Sequence, residues 1–241
     1  MVVTAKSSRL PLLISIVLAA SVLAMGQKAG SAPQLVEEFQ TNRVFWEQFE
    51  IAKKIVSLHD ATVLEQLKIY LNDDDRHVRG NAALVFAALG DDRGFEVISS
   101  ILKDRSDRPE GQGSPGGKWS VAEQISSDRY YAAHLFGDLK DARAVPILIP
   151  LLKDREVNWI VPWSLGEIGD KSAIPPLIDT LSDQSPDMRV LAIYALQALA
   201  AKQALPVLRR LIDDDEKIHF DGLGTVAEAA RAAISALNKV P

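Results

Sequence analysis

Four histidines, the residues most often used for metal binding and proton transfer, are scattered along the sequence at His59, His77, His134 and His219. No two of them stand four residues apart and none forms a His-Glu pair, so the ligand spacing of a helical metal site is missing. The sequence also has no Ser/His/Asp arrangement, phosphate-binding Gly-rich loop or dinucleotide fingerprint. It therefore predicts no catalytic residue, no metal and no cofactor, and it favours a binding protein over an enzyme.

Composition narrows the class of protein further. Cysteine is absent from the 241 residues, which excludes disulfides, thiolate nucleophiles and cysteine-based zinc sites. The net charge is −5 and no dense Lys/Arg block occurs, whereas nucleic-acid binding requires clustered positive charge. Nucleic acid is therefore excluded as a partner. The acidic runs at residues 73–75 and 213–216 are expected to be solvated loops at helix ends.

A leader segment precedes the expected fold. Lys6 and Arg9 are followed by an apolar run at residues 10–23, which is short for a membrane span, and then by small residues around Gly26. Residues 1–26 are predicted to be a signal peptide cleaved after Gly26, with Ala32 as a second cleavage site and an uncleaved membrane anchor as the alternative. The predicted location is the periplasm or the exterior.

An internal repeat organises the rest of the chain. Three series of residues share the spacings 31, 50, 29 and 31, namely Ile55, Phe86, Phe136, Leu165 and Leu196, then Leu67, Ile98, Leu148, Leu177 and Leu208, then Asp73, Asp104, Asp154, Asp183 and Asp214. Concordant spacing in three series indicates repeated structural units. The long spacing marks about 20 extra residues. The predicted organisation is an N-terminal segment at 27–44 and a repeat domain at 45–238 with a Gly/Pro-rich insertion at 105–127.

Each unit has the pattern of two helices joined by a short turn. Val78, Ala82 and Phe86 follow helical spacing, and Gly90 and Gly169 suit a helix end that needs positive φ. The aspartate that follows the turn is expected to cap the next helix. The second helices are expected to begin at Pro146, Pro175 and Pro206, where a missing N–H has no cost.

These residues resemble HEAT repeats of the phycobilisome-lyase type, over roughly residues 45–238. The motifs that carry the resemblance are VRGNAALVFAALGDD at 78–92, WSLGEIGDKSAIPPLIDTLSD at 163–183 and VAEAARAAISALN at 226–238. The resemblance implies an all-α fold, an α-solenoid in which about five helix pairs form a right-handed superhelix and a C-terminal helix caps it. Stacked units of this kind bury a continuous core and present a curved groove.

The first helix of each unit is numbered from the position of Val78. At 100° per residue, positions 3 and 7 point away from the core face, so Phe49, Gly80, Leu84 and Val190 are expected to be exposed together with the aromatic residues of the middle units. Repeats of the family that this chain resembles use positions 3, 4, 7 and 11 for a concave binding surface. The matching candidate binding residues are Tyr130, Tyr131, His134, Asp138, Trp159, Ile160, Trp163, Glu167 and Tyr194.

Two irregularities lie beside these candidates. The insertion contains a Gly/Pro-rich stretch, followed by a capping-box pattern at Ser120 and Glu123 that predicts one short helix. Trp119 and its neighbours are expected either to cover the aromatic residues as a satellite core or to form part of a partner site. Pro162 is expected at a mid-helix position, where it would kink the helix.

Charged residues also recur at fixed positions. Arg79, Arg129 and Arg189 occupy position 2, and Asp91, Asp141 and Asp170 occupy position 14. Repetition in several units is typical of scaffolding, so the two series are expected to form an Arg/Asp ladder between neighbouring units. Asn158 replaces the arginine in one unit and is expected to loosen the ladder there.

The functional hypothesis is an exported scaffold that binds a protein or peptide through the aromatic groove. One alternative is a HEAT-repeat enzyme or enzyme subunit, like the bilin lyases or the deoxyhypusine hydroxylases. The second type relies on repeated His-Glu motifs that are missing here, and export would contradict the role of the first. Another alternative is a small aromatic or carbohydrate ligand in the same groove. Partner identity and oligomeric state are not predicted.

Overall fold

The computed structural model describes residues 30–106, 119–219 and 224–240. The predicted signal segment at 1–26 and residues 107–118 of the predicted insertion lie outside these ranges. Within them the chain is helical, and its β-structure is limited to an isolated antiparallel bridge between Lys217 and Thr225. None of the helices in this part of the chain is long and apolar enough to cross a membrane.

Twelve α-helices occur in the described residues. They are α1 (Ala32–Thr41), α2 (Phe45–Ser57), α3 (Leu64–Leu67), α4 (Arg76–Ala88), α5 (Asp92–Lys103), α6 (Val121–Leu139), α7 (Val145–Leu148), α8 (Val161–Ile168), α9 (Ile174–Thr180), α10 (Pro186–Ala198), α11 (Leu205–Leu208) and α12 (Val226–Lys239). Short 3-10 turns extend most of the second helices, at Ala61–Val63, Lys68–Asn72, Ala142–Ala144, Ile149–Lys153, Lys171–Ala173 and Lys202–Ala204.

Five helix pairs stack in series in the described residues, each made of a long first helix and a shorter second one. The first helices α2, α4, α6, α8 and α10 pack side by side in that order, and α12 packs on α10 at the C-terminal end. At the other end α1 packs on α2 and buries Leu35, Val36 and Phe39. The predicted all-α solenoid with a C-terminal capping helix is confirmed.

The turn after each first helix has the same backbone conformation. A residue with positive φ follows α2, α4, α6, α8 and α10, namely His59, Gly90, Lys140, Gly169 and Ala200. These positions are spaced by 31, 50, 29 and 31 residues, the same intervals as the sequence repeat. The prediction is confirmed for the two glycines. The other three positions carry His59, Lys140 and Ala200, which adopt the left-handed conformation that the turn requires. The position of His59 is therefore a structural one, in a turn.

The predicted helix signals act locally as expected. Asp91, Asp141 and Asp170 each accept a hydrogen bond from the backbone N–H two residues on, at the start of the second helix. Pro146, Pro175 and Pro206 lie in the first turn of α7, α9 and α11. Such a position leaves no helical hydrogen bond unmade.

The capping box after the insertion is also present, but the helix that it starts is longer than predicted. Ser120 Oγ accepts from the Glu123 N–H, and the Glu123 carboxylate accepts from the Ser120 N–H. Helix α6 then continues without interruption from Val121 to Leu139, through 19 residues. The expected separate short helix is therefore wrong, because no helix-breaking residue stands between it and the first helix of the third unit.

Candidate functional site

The nine candidate binding residues differ widely in exposure. Tyr131, His134 and Ile160 are buried, while Tyr130, Asp138, Trp159, Trp163 and Glu167 are partly buried. Tyr194 is 45% exposed and lines a separate cavity of about 220 Å³ next to α12, together with Ile218, Thr225 and Glu228. Burial raises the pKa of the Tyr130 hydroxyl to about 12. The structure thus divides the predicted aromatic groove into several environments.

The expectation that positions 3 and 7 are exposed is wrong for Gly80, Leu84, His134 and Val190, which are all buried. A side chain at Gly80 would come within 3.0 Å of Leu135 and 3.2 Å of Tyr131 on α6. The reason is that each first helix packs against the first helices on both sides as well as against second helices. Positions that face away from one neighbour therefore face another.

The unit that carries the two tryptophans departs from the repeat. Helix α8 begins at Val161, so Trp159 and Ile160 precede it, and Pro162 lies in its first turn. The predicted mid-helix kink is therefore wrong. Pro162 shortens α8 to eight residues without removing an internal hydrogen bond. Trp159 and Ile160 consequently lack the helical placement that positions 3 and 4 have in the other units.

A cluster of aromatic side chains joins α2, α4 and α6. Phe45 lies 4.6 Å from the ring of His77 and 5.9 Å from that of Tyr131, and Phe49 contacts Tyr131 at 6.2 Å. The Tyr131 hydroxyl donates to the Asn81 side-chain oxygen. Burial, followed by nearby carboxylates, raises the Tyr131 pKa well above its usual value. The rings of this cluster come from the first helices of three repeats, and none of these residues belongs to the insertion. The cluster is therefore part of the core that the repeats form.

His134 and Asp138 stand at the edge of this cluster, one turn apart on α6. The His134 ring stacks on the Trp163 indole, with centroids 4.5 Å apart and planes at 19°, and it meets Phe49 edge-on at 6.0 Å. The imidazole Nδ1 lies 3.0 Å from Asp138 Oδ2, which is an ion-pair distance. The contact lacks hydrogen-bond geometry, however, and both ring nitrogens and this oxygen are buried without a hydrogen-bond partner among the described residues.

Orphaned polar atoms of this kind are uncommon. Burying a donor or acceptor without a partner costs about 1–3 kcal/mol, so such groups are usually paired or serve a function. Here the imidazole is 6% exposed and aromatic rings lie on two sides of it. The close packing of Trp163 against α6 requires glycine at position 137, because a Cβ atom on Gly137 would lie 2.6 Å from the indole Cζ3. No feature of the sequence pattern indicated that Gly137 shapes this place.

The predicted Arg/Asp ladder exists, but with other acceptors. Arg129 donates to the Leu102 carbonyl at the end of the preceding unit and to Asp154 at the end of its own, and Arg189 joins the Asp183 carbonyl to Asp214 in the same way. Asp91, Asp141 and Asp170 instead cap their own turns. That part of the prediction is wrong, because the capping N–H groups lie two residues away and use these carboxylates first.

The acceptors of the ladder are the aspartates that end the units. Asp73, Asp104, Asp154, Asp183 and Asp214 each pair with an arginine, namely Arg43, Arg76, Arg129, Arg155 and Arg189. Arg79 Nε donates to the Asp73 backbone carbonyl. At the position of the missing arginine, the Asn158 side-chain oxygen is buried without a partner among the described residues. The ladder accounts for the recurring charges as scaffolding.

Comparisons with known proteins agree with this architecture. Residues 154–219 match the family of HEAT repeats, and residues 128–154 match the PBS lyase HEAT-like repeat. The resemblance predicted from the sequence is therefore confirmed over these residues. The class of protein that the fold defines is an α-solenoid of HEAT-like repeats.

One curated relative carries a functional name. The chain is 31% identical over 145 residues to the phycocyanobilin lyase subunit alpha of a Picosynechococcus species, across 51% of this chain and 53% of the relative. The chain therefore spans about half the length of that protein. The prediction that this chain is not an enzyme is contradicted by this relative, which is named as a lyase subunit, and by the match to the lyase type of repeat. A search for histidine pairs, triads and Gly-rich loops detects only the chemistry that depends on those groups.

Solved structures with a similar fold include a designed armadillo repeat protein, with a TM-score of 0.40 and 20% identity, covering 86% of this chain and 100% of that chain. Computationally designed armadillo repeat proteins for modular peptide recognition give a TM-score of 0.43 and 20% identity, over 86% of this chain and 99% of that chain.

Proposed function

We propose that this chain is a subunit of a lyase that acts on a linear tetrapyrrole such as phycocyanobilin. The observation that carries the proposal is the 31% identity over 145 residues to a phycocyanobilin lyase subunit. The match of residues 128–154 to the lyase type of repeat supports it. That match begins within α6, the helix that bears Tyr131, His134 and Asp138.

The chemistry of the site suits such a ligand. A linear tetrapyrrole is conjugated and carries carboxylates, so it requires ring faces and nearby cations. Phe49, His134 and Trp163 supply adjoining ring faces. Lys53 lies 4.8 Å above the Phe49 ring, and Lys140 lies 3.2 Å from Glu167, with both ammonium groups partly exposed. These lysines are placed to exchange a surface ion pair for a ligand carboxylate, at little cost since such pairs are weak.

We also propose that the chain works with a second protein. The relative is named as one subunit, and stacked helical repeats present extended surfaces that suit protein partners. A peptide-binding groove through all nine candidate residues is the less favoured form of this proposal, because three of those residues are buried between helices.

Covalent pigment transfer tests the proposal. The purified full-length chain is incubated with phycocyanobilin and an extract of the cells that produce it, and protein-bound pigment is measured on a denaturing gel. We expect the amount of protein-bound pigment to change only in the sample that contains the chain. Identical pigment bands with and without the chain would contradict lyase activity.

The predicted export depends on residues 1–26, which lie outside the described ranges. Export would separate the chain from pigment made inside the cell, so the location and the lyase proposal are tested together. Fractionation of the producing cells, with residues 1–40 also fused to a reporter that is active only after export, locates the chain. A chain found with the pigment agrees with the lyase proposal, and one found in the periplasm or medium supports the predicted signal peptide.

A further inference from the structure

The strongest unexplained feature of the molecule is the group of orphaned atoms on α6. Both His134 ring nitrogens and Asp138 Oδ2 lack a hydrogen-bond partner in the described part of the chain, although the imidazole is 6% exposed. Neither the Arg/Asp ladder nor the aspartate caps of the second helices use these atoms. A buried polar group that carries this cost without a hydrogen bond is a candidate for ligand binding.

We infer that His134 and Asp138 bind a terminal lactam ring of a linear tetrapyrrole, an inference that rests on the proposed function. A neutral imidazole has one N–H donor and one acceptor nitrogen, and an aspartate oxygen is an acceptor. A lactam presents an N–H and a C=O side by side. The lactam N–H donates to Asp138 Oδ2 and the His134 ring N–H donates to the lactam oxygen, so one flat group provides a partner for this oxygen and for one of the two ring nitrogens.

The surroundings fit a flat ring. The indole of Trp163 is stacked on the imidazole and is only partly buried, whereas Phe49 closes the opposite side edge-on. Trp163 is therefore the ring that rotates to admit the ligand, and its indole then covers the bound lactam. Stacking on Trp163 adds affinity for any conjugated ring, and the two polar atoms add selectivity for the lactam.

Charged groups on the neighbouring elements do not compete for these atoms. Glu50 on α2 pairs with Lys53 at 2.8 Å, and Glu167 on α8 pairs with Lys140 at 3.2 Å. Glu167 occupies in its unit the position that Asp138 occupies in the preceding one. The control carboxylate is Glu65 on α3, which pairs with Lys68 and is not among the candidate site residues.

Binding of biliverdin to the purified full-length chain, followed by absorbance, tests the inference. Protoporphyrin IX, which has the same carboxylates but no lactam, is the control ligand. Loss of one such hydrogen bond corresponds to a weakening of about tenfold. We expect His134→Leu and Asp138→Asn each to weaken biliverdin binding by about tenfold or more, and Glu65→Gln to change it by less than about twofold. Protoporphyrin binding should be weak and insensitive to all three changes.

Thermal unfolding of the free variants provides a second readout. Because neither His134 ring nitrogen has a hydrogen-bond partner to lose among the described residues, and leucine keeps an apolar contact with Trp163 and Phe49, His134→Leu is expected to leave the Tm unchanged or raised. A lowered Tm would show a structural role and overturn the inference. Equal biliverdin affinity in wild type and His134→Leu would place the ligand elsewhere and leave the lyase proposal standing. If the wild type neither binds biliverdin nor transfers pigment, both this inference and the lyase proposal are overturned. If it binds no biliverdin but pigment transfer still depends on the chain, only the proposed site is overturned.

Discussion

Arg129, which is buried, and Asp154, which is partly buried, form an ion pair with 2.6 Å between Nη2 and Oδ2 that ties the start of a repeat to its end. The same guanidinium donates through Nε to the Leu102 carbonyl of the preceding repeat. One side chain thus fixes the position of two consecutive units. Arg189 repeats the arrangement with Asp214, so the contact is a property of the repeat.

Replacing Arg129 with alanine should lower the free energy of unfolding by about 2 kcal/mol, because the Leu102 carbonyl loses its donor and Asp154 loses its more buried partner. Its side chain is 4% exposed. Arg105 contacts the same two carboxylates, Asp154 and Glu156, with a side chain that is 52% exposed. The control Arg105→Ala should cost no more than about 1 kcal/mol. Urea unfolding measures both, and equal losses would contradict the role given to burial.

The stability of the ladder should depend on acidity. Burial raises the pKa of Asp104, but the larger combined effect of hydrogen bonds from Ser106 and then Arg76 lowers it to about 2. A depressed carboxyl pKa stabilises the fold above the unfolded value near 3.8, and that stabilisation is lost as the pH falls from there towards 2. The Tm should therefore fall over this interval in wild type and fall less in Asp104→Asn. Parallel curves for the two proteins would show that Asp104 does not contribute to the acid sensitivity.

The turn after α10 carries a removable strain. Ala200 has φ of 51°, in the left-handed region that costs a residue with a Cβ about 1 kcal/mol. Ala200→Gly should raise the free energy of unfolding by about 0.5 kcal/mol, after the greater freedom of glycine in the unfolded chain is subtracted. The reverse change Gly169→Ala, at φ of 78° and with no atom within 4 Å of the added Cβ, should lower it by about 1 kcal/mol. Chemical denaturation of the two variants should shift in opposite directions.

The packing of the Trp163 indole against His134 should depend on Gly137. An added Cβ would lie 2.6 Å from the indole Cζ3 and 3.0 Å from Ser164 Cα, so Gly137→Ala should push the ring from His134 and cost about 2 kcal/mol. Gly166→Ala is the control, since its Cβ would come no closer than 3.3 Å to another atom. Near-ultraviolet circular dichroism should change for the first variant and stay close to wild type for the second. An unchanged spectrum in Gly137→Ala would contradict the packing described.

Local signals made much of the fold predictable. Helix spacing, most proline positions, the capping aspartates and the capping box at Ser120 depend on residues within a few positions of one another, and they act as the pattern indicates. The exceptions are Pro162, which begins a helix, and the length of the helix that follows Ser120. The repeat itself was also readable, because each unit places an apolar residue, a turn and an aspartate at the same intervals. The candidate site was predictable only in part, since the pattern selected His134, Asp138 and Trp163 but treated all nine residues as one groove.

Tertiary packing decided what the local pattern left open. A helical wheel describes one helix, whereas each first helix here contacts a neighbour on both sides, so His134 and Val190 are buried at positions that one wheel marks as outward. The arginine partners likewise depend on which unit ends lie next to each other. The sequence by itself determined the helices, their ends and their repetition. Only the stacking of the units determined which side chains meet, because those contacts join residues that are far apart in the chain.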